Sequence, residues 1–158
     1  MDAARRKVMQ AGGGLTLATL LSAAGWLKPG DALAADAWNK SAFEAKTLDD
    51  AYKSIAGGAP AQSKDIAFFS TPDIAENGAV VPVGVSSTLP KTESIAILVE
   101  KNPNLLAAAF DIPAGTEAAV TTRVKMGQSS NVYALVKADG KYYVASKEIK
   151  VTLGGCGG

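Results

Sequence analysis

Between residues 38 and 55, apolar side chains recur three or four positions apart, at Ala42, Ala45, Leu48, Ala51, Tyr52 and Ile55. That spacing places them on one stripe of a helix. Gly57-Gly58 and then Pro60 close the pattern, because glycine suits the turn that ends a helix and proline cannot continue one. One amphipathic helix is therefore predicted over 38–55. Asp49 and Asp50 lie within it, and adjacent helical residues face different ways, so the two read as surface charges rather than a catalytic pair.

After Pro60 the period changes to that of extended chain, and turn residues punctuate it about every eight to twelve positions, as in a sandwich or barrel. Strands are predicted at 65–70, 79–86, 93–100, 105–111, 117–126, 130–138 and 141–153. Pro82 falls inside one of them and argues for an edge or bulged strand. The run 94–99 is apolar on both sides, which requires both faces to be covered. Asp139-Gly140 is a two-residue hairpin signal that pairs Val136 with Tyr143 and Leu135 with Val144. Both faces of that hairpin are apolar: Val132, Ala134, Val136 and Tyr143 on one, Tyr133, Leu135, Tyr142 and Val144 on the other. A monomeric sandwich needs one inward face, so the second is expected either at a subunit interface or beneath the N-terminal helix. The last strand alternates Ile149, Val151 and Leu153 against Lys150 and Thr152.

Composition narrows the functional classes. The 158 residues are 47% hydrophobic, enough for one globular domain. A net charge of +1 gives no basis for binding nucleic acid or an anionic membrane surface. Histidine is absent, which removes the commonest general base and the commonest metal ligand together. No catalytic, cofactor-binding or metal-ligating set is expected.

The N-terminus has the order of an export signal: Arg5-Arg6-Lys7, an uncharged stretch over 8–27, and Ala32-Leu33-Ala34 before Ala35. The paired arginines and the weakly apolar stretch point to the twin-arginine route, with departures from its pattern at Ala4, Val8 and Gln10. Gly12-Gly13-Gly14, Thr16, Thr19 and Ser22 argue against a permanent membrane anchor. Three parts result: an export signal at 1–34, a helix-plus-β carrier domain at 35–153 and an arm at 154–158. The mature chain is expected to work outside the cytoplasm, with no membrane association once the signal is removed.

The arm is Gly154-Gly155-Cys156-Gly157-Gly158, and it holds the single cysteine. Glycine on both sides leaves the thiol unhindered and the backbone without a preferred conformation. A free thiol reacts as thiolate, yet a glycine tether holds no nucleophile against an oxyanion hole and no histidine is present to act as its base. Lys147 and Lys150, on the strand before it, read as solvent-facing charges. The arm suits a covalent cargo that is carried to other proteins' active sites.

The ending Val151-Thr152-Leu153-Gly154-Gly155-Cys156-Gly157-Gly158, after a twin-arginine-like signal and a small β domain, closely resembles the SoxY family of sulfur carriers. The resemblance covers the whole chain, and it departs from the family only in the signal. It implies an immunoglobulin-like β-sandwich in a periplasmic heterodimer with a SoxZ-like subunit. It also implies that Cys156 is the covalent attachment point for sulfur and that Gly154, Gly155, Gly157 and Gly158 form the flexible arm. A haem-containing SoxAX-like enzyme would conjugate thiosulfate to the thiol, and a SoxB-like enzyme would hydrolyse the thiosulfonate to release sulfate. The carrier itself would be non-catalytic and would need no cofactor.

Two other readings use the same residues. An exported subunit can spend a leftover cysteine on an intermolecular disulfide through Cys156. Alternatively the carboxylate of Gly158 is the reactive end, as in ThiS- and MoaD-like carriers, a chemistry that needs ATP and so fits an exported chain poorly.

Overall fold

The computed structural model describes residues 39–152; the expected signal, Trp38, Leu153 and the arm with Cys156 lie outside the described residues. Among the described residues two helices come first, α1 (Lys40–Glu44) and α2 (Leu48–Ala56). Nine strands follow: β1 (Ala61–Gln62), β2 (Ile66–Phe69), β3 (Ile74–Ala75), β4 (Val81–Ser87), β5 (Thr92–Val99), β6 (Leu106–Asp111), β7 (Ala119–Val124), β8 (Ser130–Ala138) and β9 (Lys141–Val151). The large sheet runs β1-β9-β8-β5-β6, with β3 also on β9, and the small sheet runs β2-β4-β7. Packed face to face, they form an immunoglobulin-like β-sandwich.

The helical stretch is divided where its apolar spacing predicts one continuous helix. Asn39 caps α1, its side chain accepting from Ala42 N, and Ala45 leaves the helix at φ −57°, ψ 134°. Thr47 Oγ1 then accepts from Asp50 N at 3.1 Å and donates to Asp50 Oδ2 at 2.7 Å. This cap supplies a partner for an amide that would otherwise be orphaned at the helix start. Asp49 and Asp50 stand in the first turn of α2, where the helix dipole favours negative charge. Gly57, at φ 72°, closes α2 by donating its N–H to Lys53 O.

Alternation along each strand builds two apolar layers. Ile95, Ile97 and Val99 of β5 join Val132, Ala134 and Val136 of β8, Ile149 of β9 and Val81, Val83 and Val85 of β4 in the core between the sheets. On the other side of the large sheet, Ala96, Leu98, Leu106, Leu135 and Val144 pack with Ala42, Ala45 and Ala51 of the helical segment. The second apolar face of the β8–β9 hairpin is thus covered by α1 and α2, which decides between the two possibilities left open by the sequence. Asp139 and Gly140 both adopt positive φ, 48° and 73°, as a two-residue turn matched to strand twist requires. The pairing is Val136 with Tyr143 and Leu135 with Val144.

Pro82 departs from expectation. It lies in the central strand of the small sheet rather than at an edge or in a bulge. Ser87 N bonds to Ala118 O, so the odd-numbered residues of β4 face β7 and the even ones face β2. The ladder with β2 ends at Phe69 opposite Gly84. The nitrogen of Pro82 therefore points where no strand remains, and its missing N–H breaks no bond.

Candidate functional site

One short parallel strand grips the last segment of β9. β3 pairs Ile74 with Lys150 and Ala75 with Val151, adding backbone bonds from Lys150 N to Asp73 O at 2.9 Å and from Thr152 N to Ala75 O at 3.1 Å. From the opposite edge Ser129 Oγ accepts from Val151 N at 2.9 Å. The chain is thereby held on both sides as far as Thr152, four residues before Cys156.

A second loop closes over the same point. Met126 N donates to Gly78 O at 2.7 Å, and a Cβ built on Gly78 would meet both Met126 O and Val151 Cγ1. Residue 78 must lack a side chain for the loop to lie against β9. The sequence marks Asn77-Gly78 only as a turn; its contact with a residue 73 positions later has no local signal.

Lys147 corrects the sequence reading. It lies on the inward face of β9 with Ala145, Ile149 and Val151, and its side chain is 26% exposed. Its Nζ donates to Thr71 O at 2.5 Å and pairs with Asp73 Oδ1 at 3.0 Å. The side chain crosses the open edge of the sandwich and ties the segment after β2 to β9. Thr71, itself buried, accepts from Gly84 N at 3.0 Å, so this tie reaches both sheets. Lys150 is exposed on the other face, as its place in the alternation predicts.

Among the described residues, the remaining ionisable groups form no reactive constellation. The Tyr52 hydroxyl is pushed up to about 12, first by burial and then by the neighbouring Tyr133, Glu100 and Asp49. Tyr133 is raised too, by burial and by the Glu100 carboxylate that it donates to at 3.3 Å. Glu93 is held below the usual carboxylate range by Lys137 and by the Gly140 N–H, a surface tie that fixes the hairpin turn. Among the described residues no group of His, Cys, Asp and Glu is arranged to hold a metal ion. A surface cavity of ≈ 480 Å³ lined by Ser87, Thr92, Ile112 and Thr116 lies at the end of the sandwich away from the last residues of β9. No helix among the described residues is long and apolar enough to cross a membrane.

The family described as "Sulfur oxidation protein SoxY" matches this chain over residues 52–156, a span that ends on Cys156 itself. Among solved structures the chain is similar to the sulfur carrier protein SoxY from Chlorobium limicola f thiosulfatophilum, with 38% identity, a TM-score of 0.61, and coverage of 68% of this chain and 97% of that one. It also matches the superoxide reductase neelaredoxin from Ignicoccus hospitalis at 22% identity and a TM-score of 0.49, over 55% of this chain and 80% of that one. No curated protein sequence gives a significant match.

Proposed function

The chain belongs to the SoxY family of sulfur oxidation proteins, a family of sulfur carriers, and on that premise we propose that it carries thiosulfate-derived intermediates covalently on Cys156 in the periplasm. The observation that carries this reading is the firm anchorage of β9 through Thr152, four residues short of the single cysteine, in a family match that runs to that cysteine. Gly154, Gly155, Gly157 and Gly158 make the arm. The domain supplies a fixed point of departure for it, and the lack of histidine supports a reading in which partner enzymes carry out the bond-making chemistry.

Loading joins the thiol to thiosulfate: Cys–SH and S₂O₃²⁻ give Cys–S–S–SO₃⁻, one proton and two electrons, the electrons passing to a haem-containing SoxAX-like enzyme. Hydrolysis by a SoxB-like enzyme adds water, releases sulfate and two protons, and leaves Cys–S–S⁻ on the arm. The carrier is non-catalytic and holds no cofactor besides the bound sulfur. It acts as a heterodimer with a SoxZ-like subunit, and the segment 1–34 directs export by the twin-arginine route, which transports folded proteins and so can carry a bound partner that lacks its own signal.

Intact mass of the protein from thiosulfate-grown cells tests this. Sulfur adducts on Cys156 that vanish in Cys156→Ser are expected. Only unmodified chain or a disulfide dimer through Cys156 would overturn the carrier role in favour of a structural cysteine, and adducts that persist in Cys156→Ser would move the site to the Gly158 carboxylate.

A further inference from the structure

Asn77 is the one asparagine of five that precedes a glycine, and a following residue without Cβ leaves its amide nitrogen unhindered as a nucleophile toward the asparagine side chain. Asn77 is exposed, in the loop that lies against the end of β9. Its Oδ1 accepts from Ala79 N at 2.9 Å. Its main-chain oxygen accepts from Val80 N at 3.3 Å, and Gly78 O accepts from Met126 N at 2.7 Å. Among the described residues, neither Gly78 N nor Asn77 Nδ2 has a hydrogen-bond partner. The nucleophile and the leaving group of an imide closure are thus both free, while the three carbonyl oxygens around them are held. By contrast, the side-chain nitrogens of Asn39, Asn102 and Asn131 donate to Ser54 O, Lys125 O and Glu100 Oε2.

Imide closure needs the Gly78 peptide to swing until its nitrogen meets Asn77 Cγ. The closed loop leaves no room for that movement, because even a Cβ on Gly78 would run into Met126 O and Val151 Cγ1. We propose that Asn77-Gly78 is a self-modification site that deamidates only when this loop lifts from β9, and whose product keeps the loop from closing again. The Gly78 nitrogen gives up its proton and bonds to Asn77 Cγ, the Cγ–Nδ2 bond breaks, and ammonia leaves with that proton. Water then opens the imide. Attack at Cγ restores the original main chain with a side-chain carboxyl, and attack at the main-chain carbonyl gives an isoaspartyl link in which the chain runs through Cβ. No oxidant or cofactor enters. The isoaspartyl link adds a carbon to the main chain just before a residue packed without slack, so Gly78 cannot return to Met126 and Val151 together. The inference stands on the loop and is independent of what the arm carries.

The test ages the full chain at mildly alkaline pH, folded in buffer and unfolded in urea, and follows each asparagine by peptide mass mapping. Asn77 should convert before the other asparagines. Its conversion should be roughly tenfold or more slower in the folded chain, since the rate there follows the small population of the open loop. Separated from the remainder, the isoaspartyl form should exchange its Met126 and Val151 amides with solvent faster than the parent chain does, with those of β5 unchanged. Asn77→Asp carries the charge without the longer main chain and should exchange as the parent does. Equal conversion in buffer and urea, earlier conversion of another asparagine in the folded chain, an isoaspartyl form that exchanges like the parent, or an Asn77→Asp chain that opens as far as the isoaspartyl form would each overturn the inference.

Discussion

A Cβ placed on Gly78 would stand 2.8 Å from Val151 Cγ1, so the loop before β4 reaches the end of β9 only because residue 78 has no side chain. Backbone atoms of Met126 crowd the same position, and neither neighbour is a flexible side-chain tip that can swing away. Gly78→Ala should destabilise the fold by about 1–3 kcal/mol through overpacking. Local opening should follow, so the amides of Val151 and Thr152 should exchange with solvent faster than those of β5 in a hydrogen-exchange measurement.

Lys147 separates a hydrogen bond from an ion pair. Its bond to Thr71 O is partly buried, whereas its partner Asp73 is 87% exposed. Lys147→Met keeps the aliphatic stem but leaves the Thr71 carbonyl without this donor, and should cost about 1–2 kcal/mol in urea unfolding. Asp73→Asn removes only a solvent-screened attraction and should cost under about 0.5 kcal/mol. Equal losses from the two variants would show that the charge, not the backbone tie, holds the sandwich edge.

Alkaline stability should report on the tyrosines of the helix–sheet layer, Tyr52 of α2 and Tyr133 of β8. Tyr52 ionises at about 12 in the folded chain, above the ordinary value of 10.0. The unfolded chain thus loses its proton first, and stability present below pH 10 falls as pH rises from 10 to 12. Tyr52→Phe should flatten the decline in Tm across that interval while leaving Tm near neutrality little changed. A decline of undiminished slope in the variant would assign the effect to other groups.

The break between α1 and α2 makes a separate prediction. Thr47→Ala removes the side-chain acceptor for Asp50 N and should cost about 1 kcal/mol. Thr47→Ser keeps the oxygen and should recover most of the loss. If both variants melt alike, the cap contributes nothing and the break at Ala45 has another cause.

Much of this fold is written in short-range pattern. The β8–β9 hairpin follows from Asp139-Gly140 and a strict two-residue alternation, and its register follows from the turn. Strand β5 follows from an unbroken apolar run. The single helix anticipated over 38–55 failed at Thr47 because apolar periodicity continues across a cap that only hydrogen bonding reveals. Strands β1 and β3 were missed because each has two residues, too few for any period, and both exist by pairing with β9. Pro82 misled because the rule against proline in a central strand assumes a neighbour on both sides along its full length.

For the site the division is sharper. The sequence by itself determined the lone cysteine, the glycines around it, the missing histidines and the strand that leads into the arm, since these are matters of residue identity and local periodicity. Only the tertiary structure decided that α1 and α2 cover the second apolar face of the hairpin, that Lys147 turns inward to Thr71, and that Ile74, Gly78 and Val80 gather where β9 ends. Those contacts join residues roughly 70 or more positions apart, and the free energy that selects them comes from side chains packing across two sheets, which no stretch of chain carries alone.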